Sequence, residues 1–137
     1  MEPENQAAAI ILFTIGFAKK SAQEFFSILQ VNGVKQILDI RLNNKSQLAG
    51  FTKNGDLAFF LEKIAHIGYK HIPELAPDKQ LLDDYQNKRI TWEEYEKRFL
   101  ELLKARDITS FIDPEELHRS CLLCAEPTPH KCHRRLV

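Results

Sequence analysis

The chain has 137 residues, of which 44% are apolar and 28% are charged, so it has the size and balance of one ordinary globular domain. Nineteen basic residues balance nineteen acidic residues, which argues against binding nucleic acid mainly through bulk positive charge and leaves only a local basic patch open. The three cysteines are odd in number and gathered near the C-terminus, which excludes the framework of a secreted disulfide-rich domain.

The N-terminal residues predict neither a secretory signal nor a membrane anchor. Residues 1–8 open with acidic rather than positive side chains, and we expect them to form a flexible arm. The apolar run Ala7–Ile15 is too short to span a bilayer. We therefore expect a cytoplasmic protein with reduced thiols and no membrane partner, organised as a single α/β domain over residues 9–137.

The first third of the chain has the pattern of a strand, a helix and a second strand. The continuous apolar run Ile10–Gly16 contains β-branched residues, which is typical of a strand buried on both faces. Ser21 and Glu24 form a capping box that begins a helix, and Gly33 is placed to end it. A second strand is predicted over Val34–Arg41, followed by a polar loop.

The middle of the chain returns to helical periodicity around one short strand. A helix is predicted over Asp56–Ile67, with Gly68 as its end, and a strand over Tyr69–Ile72. Another helix is predicted over Gln80–Arg89. A second capping box at Thr91 then begins a long amphipathic helix.

Three short elements close the chain. Asp113 followed by Pro114 predicts a brief helix, because proline suits the first helical position. Cys121–Glu126 is predicted to be a buried strand, and Thr128 with Pro129 to begin a terminal helix. Strands therefore alternate with helices, which predicts the α/β fold class: a mostly parallel sheet of about four strands flanked by helices, in a three-layer α/β/α arrangement.

Candidate binding residues follow the ends of the predicted strands, where open parallel sheets bind their ligands. Gly16 allows close approach to the backbone, and Ser46 in the polar loop adds a hydroxyl donor. Arg41 shares a strand face with Asp39. That pair fits two interpretations equally: a structural ion pair that ties the loop to the sheet, or a guanidinium that captures a phosphate or carboxylate.

Two polar aromatic side chains lie on the predicted third strand. Tyr69 and His71 are two residues apart and therefore share a face. A lone histidine is more often a satisfied packing residue than a base, and we expect that role for His71. Tyr69 is included among the candidate binding residues.

The segment after the last strand carries the strongest chemical signal. Cys132 falls near the start of the predicted terminal helix, where unpaired N–H groups and the helix dipole favour a thiolate. His133 and Arg134 add titratable and positive character. One interpretation is a thiol and anion site, with Cys132 as nucleophile or redox-sensitive thiol, Glu126 as acid, base or orienting group, and Arg134 as anion anchor.

Two other interpretations of the cysteines stay open. Cys121, Cys124, Cys132 and His133 could bind zinc, but the first two are predicted inside a strand, on opposite faces, whereas zinc pairs usually occupy a tight knuckle. The cysteines could instead be small core residues, which we favour for Cys121, while both roles stay open for Cys124. We predict no bound metal and no cofactor.

Several short motifs occur together in this chain. They are Thr14-Ile15-Gly16, Leu38-Asp39-Ile40-Arg41, and Leu123-Cys124-Ala125-Glu126 followed by Cys132-His133-Arg134. In this combination, from about Leu12 to Val137, the chain resembles the family catalogued as domain of unknown function 488. The resemblance implies a compact α/β domain, no established activity, and a shared centre at Arg41, Cys124, Glu126, Cys132, His133 and Arg134.

The resemblance also implies two departures from the family pattern. Many members have His-Ser after Thr-Ile-Gly, where this chain has Phe17-Ala18. Members run on beyond the position of Val137, so we expect the chain to stop inside its last helix.

Three functions are compatible with these patterns. The favoured hypothesis is a thiol and anion site at the strand ends, with catalysis left open. The second is a binding module for nucleic acid or a phosphorylated ligand that uses Arg41, Lys131, Arg134 and Arg135. The third is a Cys/His domain stabilised by zinc. The expected partner is a small anionic ligand or nucleic acid, and the expected state is a monomer or weak homodimer.

Overall fold

The structure is a computed structural model that describes residues 10–42, 51, 53–110, 112–124 and 136–137. The predicted arm over residues 1–8 and the predicted terminal helix therefore lie outside the described residues. None of the helices in the described part of the chain has the length and apolar composition needed to cross a bilayer.

Four strands form one sheet. They are β1 (Leu12–Gly16), β2 (Gln36–Asp39), β3 (Gly68–His71) and β4 (Ser120–Cys124). All the pairings are parallel and the spatial order is β1-β4-β2-β3, so the last strand is inserted between the first two. The predicted parallel sheet is confirmed.

Helices lie on both faces of this sheet. They are α1 (Ala22–Val31), α2 (Asn54–Phe60), α3 (Lys79–Gln86), α4 (Trp92–Arg106) and α5 (Pro114–Leu117). A π-helical turn, Leu61–Ala65, continues α2, and 3-10 turns cover Pro73–Leu75 and Ile108–Ser110. The three-layer α/β/α architecture is confirmed.

Each helical layer covers its own hydrophobic core. Side chains alternate along the two central strands, so Ile37 and Leu123 face one way while Leu38 and Leu122 face the other. The first core packs these strands against α1 and α2, and includes Phe25, Leu29, Ile37, Leu57, Cys121 and Leu123. The second core packs them against α3 and α4, and includes Leu38, Leu81, Tyr95, Phe99, Leu103 and Leu122.

The helix starts form as their capping residues predict. The Ser21 hydroxyl accepts a hydrogen bond from the Glu24 N–H at 3.1 Å, and Thr91 accepts one from the first turn of α4 at the same distance. Asp113 caps α5 in the same manner, with Pro114 at its first position. Each cap satisfies a backbone donor that has no partner inside its helix.

The structure corrects the predicted burial of β1. The run Ile10–Gly16 was expected to be covered on both faces, but the strand begins at Leu12 and stands at the end of the sheet. Ile15 is buried against the first core, while Leu12 and Thr14 on the opposite face are exposed. Continuous hydrophobicity does not distinguish a central strand from an edge strand, because strand order is a tertiary property.

Two element ends also differ from the predictions. β2 stops at Asp39 rather than Arg41, because the Arg41 N–H donates to the Asp39 carboxylate at 3.1 Å. The helix predicted over Asp56–Ile67 ends at Ala65, and its C-cap residue His66 adopts the left-handed conformation with φ of 56°. Gly68 is instead the first residue of β3.

We expect Leu123→Ala to lower the free energy of unfolding by about 3 kcal/mol, because Leu123 is fully buried in the central strand. The matched control is Leu100→Ala on α4, where Leu100 is 44% exposed and the loss should stay below about 1 kcal/mol. Urea unfolding followed by circular dichroism measures both. Equal losses would contradict the assignment of the cores.

Candidate functional site

The carboxyl ends of the four strands meet along one edge of the sheet. Gly16, Asp39, His71 and Cys124 are the last residues of β1, β2, β3 and β4. Gly16 pairs in register with Cys124, and Asp39 pairs with His71. We call these residues and those that follow them the carboxyl edge. It is the part of a parallel sheet where ligands usually bind.

A buried ion pair dominates the described part of this edge. Arg41 donates from Nε to Asp39 Oδ1 and from Nη2 to Asp39 Oδ2, each at 2.8 Å. Asp39 is 0% exposed and Arg41 is 6% exposed. The structure therefore forms the ion pair that was one of the two interpretations of these residues. The other interpretation, capture of a phosphate or carboxylate, stays a prediction.

The third strand contributes two more contacts to this pair. The Tyr69 hydroxyl donates to Asp39 Oδ2, so the carboxylate accepts four hydrogen bonds from residues that the structure describes. The His71 Nε2–H donates to the carbonyl oxygen of Arg41 at 2.8 Å. We call Asp39, Arg41, Tyr69 and His71 the Asp39 cluster. It links the ends of two neighbouring strands.

The cluster keeps Arg41 charged although the side chain is buried. Burial acts to lower the pKa of Arg41, but the hydrogen bonds and the charge of Asp39 outweigh it, with a smaller contribution from Tyr69, so the pKa is raised. A charge buried in this way depends on its partner, because removing one member leaves the other without compensation.

Phe17 links the first strand to the same cluster. Its N–H donates to the Cys124 carbonyl oxygen at 3.2 Å, and its ring lies under the Arg41 guanidinium with 5.3 Å between the guanidinium carbon and the ring centroid. The negative face of an aromatic ring attracts such a cation. Sequence reasoning noted Phe17 only as a departure from the family pattern and missed this contact, which depends on strand order.

The two described cysteines have different surroundings. Cys121 is 1% exposed and belongs to the first core, which agrees with its interpretation as a small core residue. Cys124 is 7% exposed, ends β4 and alternates to the opposite face. Among the residues that the structure describes, no group of three or more His, Cys, Asp or Glu side chains could hold a metal ion.

Five candidate residues lie outside the described residues, so their positions and roles stay predictions. They are Ser46, Glu126, Cys132, His133 and Arg134. Of the remaining candidates, the structure brings Arg41 and Tyr69 into contact with Asp39, and Gly16 into register with Cys124.

An open cavity of about 450 Å³ borders the Asp39 cluster at His71. Its lining includes Lys70 but also Glu74 and Glu116, and it does not include Arg41. With both signs of charge around it, this cavity shows no preference for an anion. The part of the carboxyl edge around Asp39 and Arg41 is the better candidate, because the buried ion pair lies there.

The chain belongs to a protein family that is defined by a domain of unknown function. A family model described as domain of unknown function DUF488 matches residues 21–137, which is more than half of the chain. The match includes the whole Asp39 cluster and begins after β1. No curated protein and no solved structure matches the chain.

We expect Asp39→Asn to lower the free energy of unfolding by about 3 kcal/mol, because it leaves a buried guanidinium without its counter-charge. The matched control is Asp83→Asn, whose ion pair with Lys79 is exposed and should contribute little. Urea unfolding at neutral pH measures both variants. If Asp39→Asn is as stable as the control, the pair does not hold the carboxyl edge together.

Proposed function

We propose that this member of the DUF488 family binds a small oxyanion at the carboxyl edge of its sheet, beside a reactive thiol. Arg41 and Arg134 anchor the anion, Cys132 supplies the thiol, and Glu126 orients the ligand or exchanges a proton. The observation that carries the proposal is the buried pair of Asp39 and Arg41, because it stands at the strand ends where parallel sheets bind ligands.

The position of the Arg41 side chain is fixed by its hydrogen bonds to Asp39. Asp39 holds its Nε and Nη2 groups in a two-point contact. A side chain fixed in this way loses little further freedom on binding, which favours affinity. Because Asp39 balances the charge, we expect Arg41 to recognise the anion through hydrogen-bond geometry, while Arg134 supplies the net positive charge.

Chain length supports bringing Cys132 to the same edge. Cys124 ends β4 beside Gly16, and Leu136 packs against the second core. Cys132 is four positions before Leu136, so their Cα atoms are at most about 14 Å apart. This chain length is compatible with the proposed position of Cys132 at the carboxyl edge.

The burial of Arg41 also favours a small ligand over nucleic acid. An extended phosphate backbone lies on a protein surface and is bound by exposed Lys and Arg side chains. Arg41 is only 6% exposed, and the chain carries no net charge. A compact anion that enters the edge fits these properties better, and a binding module for nucleic acid remains the second candidate.

The thiol part of the proposal is tested by alkylation with iodoacetamide, resolved peptide by peptide over a range of pH. We expect Cys132 to react rapidly below the usual thiol pKa of about 8.5. Cys121 and Cys124 should react slowly, because both are buried, and they serve as internal controls. Equal and slow reaction of all three cysteines would contradict a reactive thiol.

Inorganic phosphate tests the anion part in the same assay. Phosphate should slow the alkylation of Cys132, and Arg134→Gln should raise the concentration needed for half-protection by about tenfold, the result of losing one charged hydrogen bond. The control is Arg89→Gln, an exposed arginine paired with Asp84, which should leave half-protection unchanged. No protection at low ionic strength, or the same loss in both variants, would refute the anion site.

A further inference from the structure

The outer edge of β1 presents backbone groups that lack a strand partner among the described residues. Ile11 accepts from the Arg119 N–H at 2.7 Å, and Phe17 donates to the Cys124 carbonyl oxygen at 3.2 Å, so alternate residues face β4. The N–H and C=O of one strand residue point the same way. Those of Leu12, Thr14 and Gly16 therefore point away from β4, and we call this row the β1 edge.

Over the part of the chain that the structure describes, the β1 edge also lacks the features that usually prevent strand edges from pairing. Ile10, Ile11 and Leu12 are 45%, 42% and 40% exposed. The sequence has no charged residue between Glu4 and Lys19. Soluble proteins normally protect an edge with charged side chains, proline or a bulge, and an apolar edge without them tends to pair with another strand.

The opposite edge of the sheet is different. Gly68 donates to Lys35 just before β2, and Ile72 donates to Asp39 at the end of β2, so the outward row of β3 belongs to Tyr69 and His71. The side chains of these two residues take part in the Asp39 cluster, and Lys70 lies between them. The β3 edge carries a charged side chain and its outward residues belong to the Asp39 cluster, so β1 is the edge suited to pairing.

We propose that two copies of this chain associate through their β1 edges, antiparallel, to form one continuous eight-stranded sheet. Because the segment between Glu4 and Lys19 is uncharged, two copies of it can pair without bringing like charges together. A two-fold axis makes the two paired surfaces identical and limits the assembly to a dimer. One register places Leu12 opposite Thr14 of the partner subunit and Thr14 opposite Leu12 of the partner subunit, so that the two exposed outward residues of β1 form hydrogen-bonded pairs.

The proposed dimer does not depend on the anion site. It uses the outward groups of β1, whereas the site uses the ends of the strands and the residues after them. The contact is narrow, since it involves only a short strand from each copy. We therefore expect a dimer that dissociates on dilution, as small interfaces do.

Sedimentation velocity on the full chain over a series of concentrations tests the proposal. Thr14→Pro removes an outward N–H without removing a bond to β4, and proline is tolerated at such a position. Leu12→Lys places a charge at the edge instead. Each variant should weaken the dimer by about tenfold or more, because the two-fold axis repeats the change in both copies.

The control is Val31→Lys, which places the same charge on α1 at a residue that is 85% exposed and should leave the dimer unchanged. Circular dichroism and thermal melting check that each variant folds. If Thr14→Pro does not fold, Leu12→Lys alone decides the test. A wild-type chain that is monomeric at every concentration overturns the proposal. So does a dimer that Thr14→Pro and Leu12→Lys leave intact.

Discussion

The buried ion pair between Asp39 and Arg41 is the constraint on which the carboxyl edge depends. Arg41 can be buried because Asp39 accepts from its Nε, its Nη2 and its backbone N–H. The same carboxylate accepts from Tyr69 of β3, and Phe17 after β1 packs under the guanidinium. Residues in, or just after, three strands therefore contact one ion pair. Breaking this pair would lower the stability of the fold by more than forming the pair raises it.

The order of the strands explains why the candidate side chains can come together at the carboxyl edge. β4 is the last strand in the chain, yet it lies between β1 and β2. Its final residue, Cys124, is beside Gly16, and the preceding Leu123 is in register with Asp39. The segment that begins after Cys124 therefore leaves the sheet at the middle of the carboxyl edge. This topology is the physical basis for proposing that Glu126, Cys132 and Arg134 act there with Arg41.

Local sequence patterns predicted the helices and strands well, because helix capping and the alternation of side chains along a strand depend on residues only a few positions apart. Ser21 and Thr91 begin helices as expected, and Cys121 lies in a core. What the sequence could not reveal depends on strand order: the exposure of Leu12 at an edge, and the stacking of Phe17 on Arg41. Asp39 and Arg41 were recognised as a pair, but their burial required the tertiary structure.

The most direct test of an ordered, anion-binding Arg41 is the ¹⁵N–¹H NMR signal of its Nε group, assigned by its loss in Arg41→Lys. The Asp39 hydrogen bond should make this proton exchange slowly with water, and inorganic phosphate should shift the signal in a saturable manner. A slowly exchanging signal that phosphate does not shift would leave the ion pair structural only and contradict the proposed site. A rapidly exchanging signal would contradict the buried pair itself.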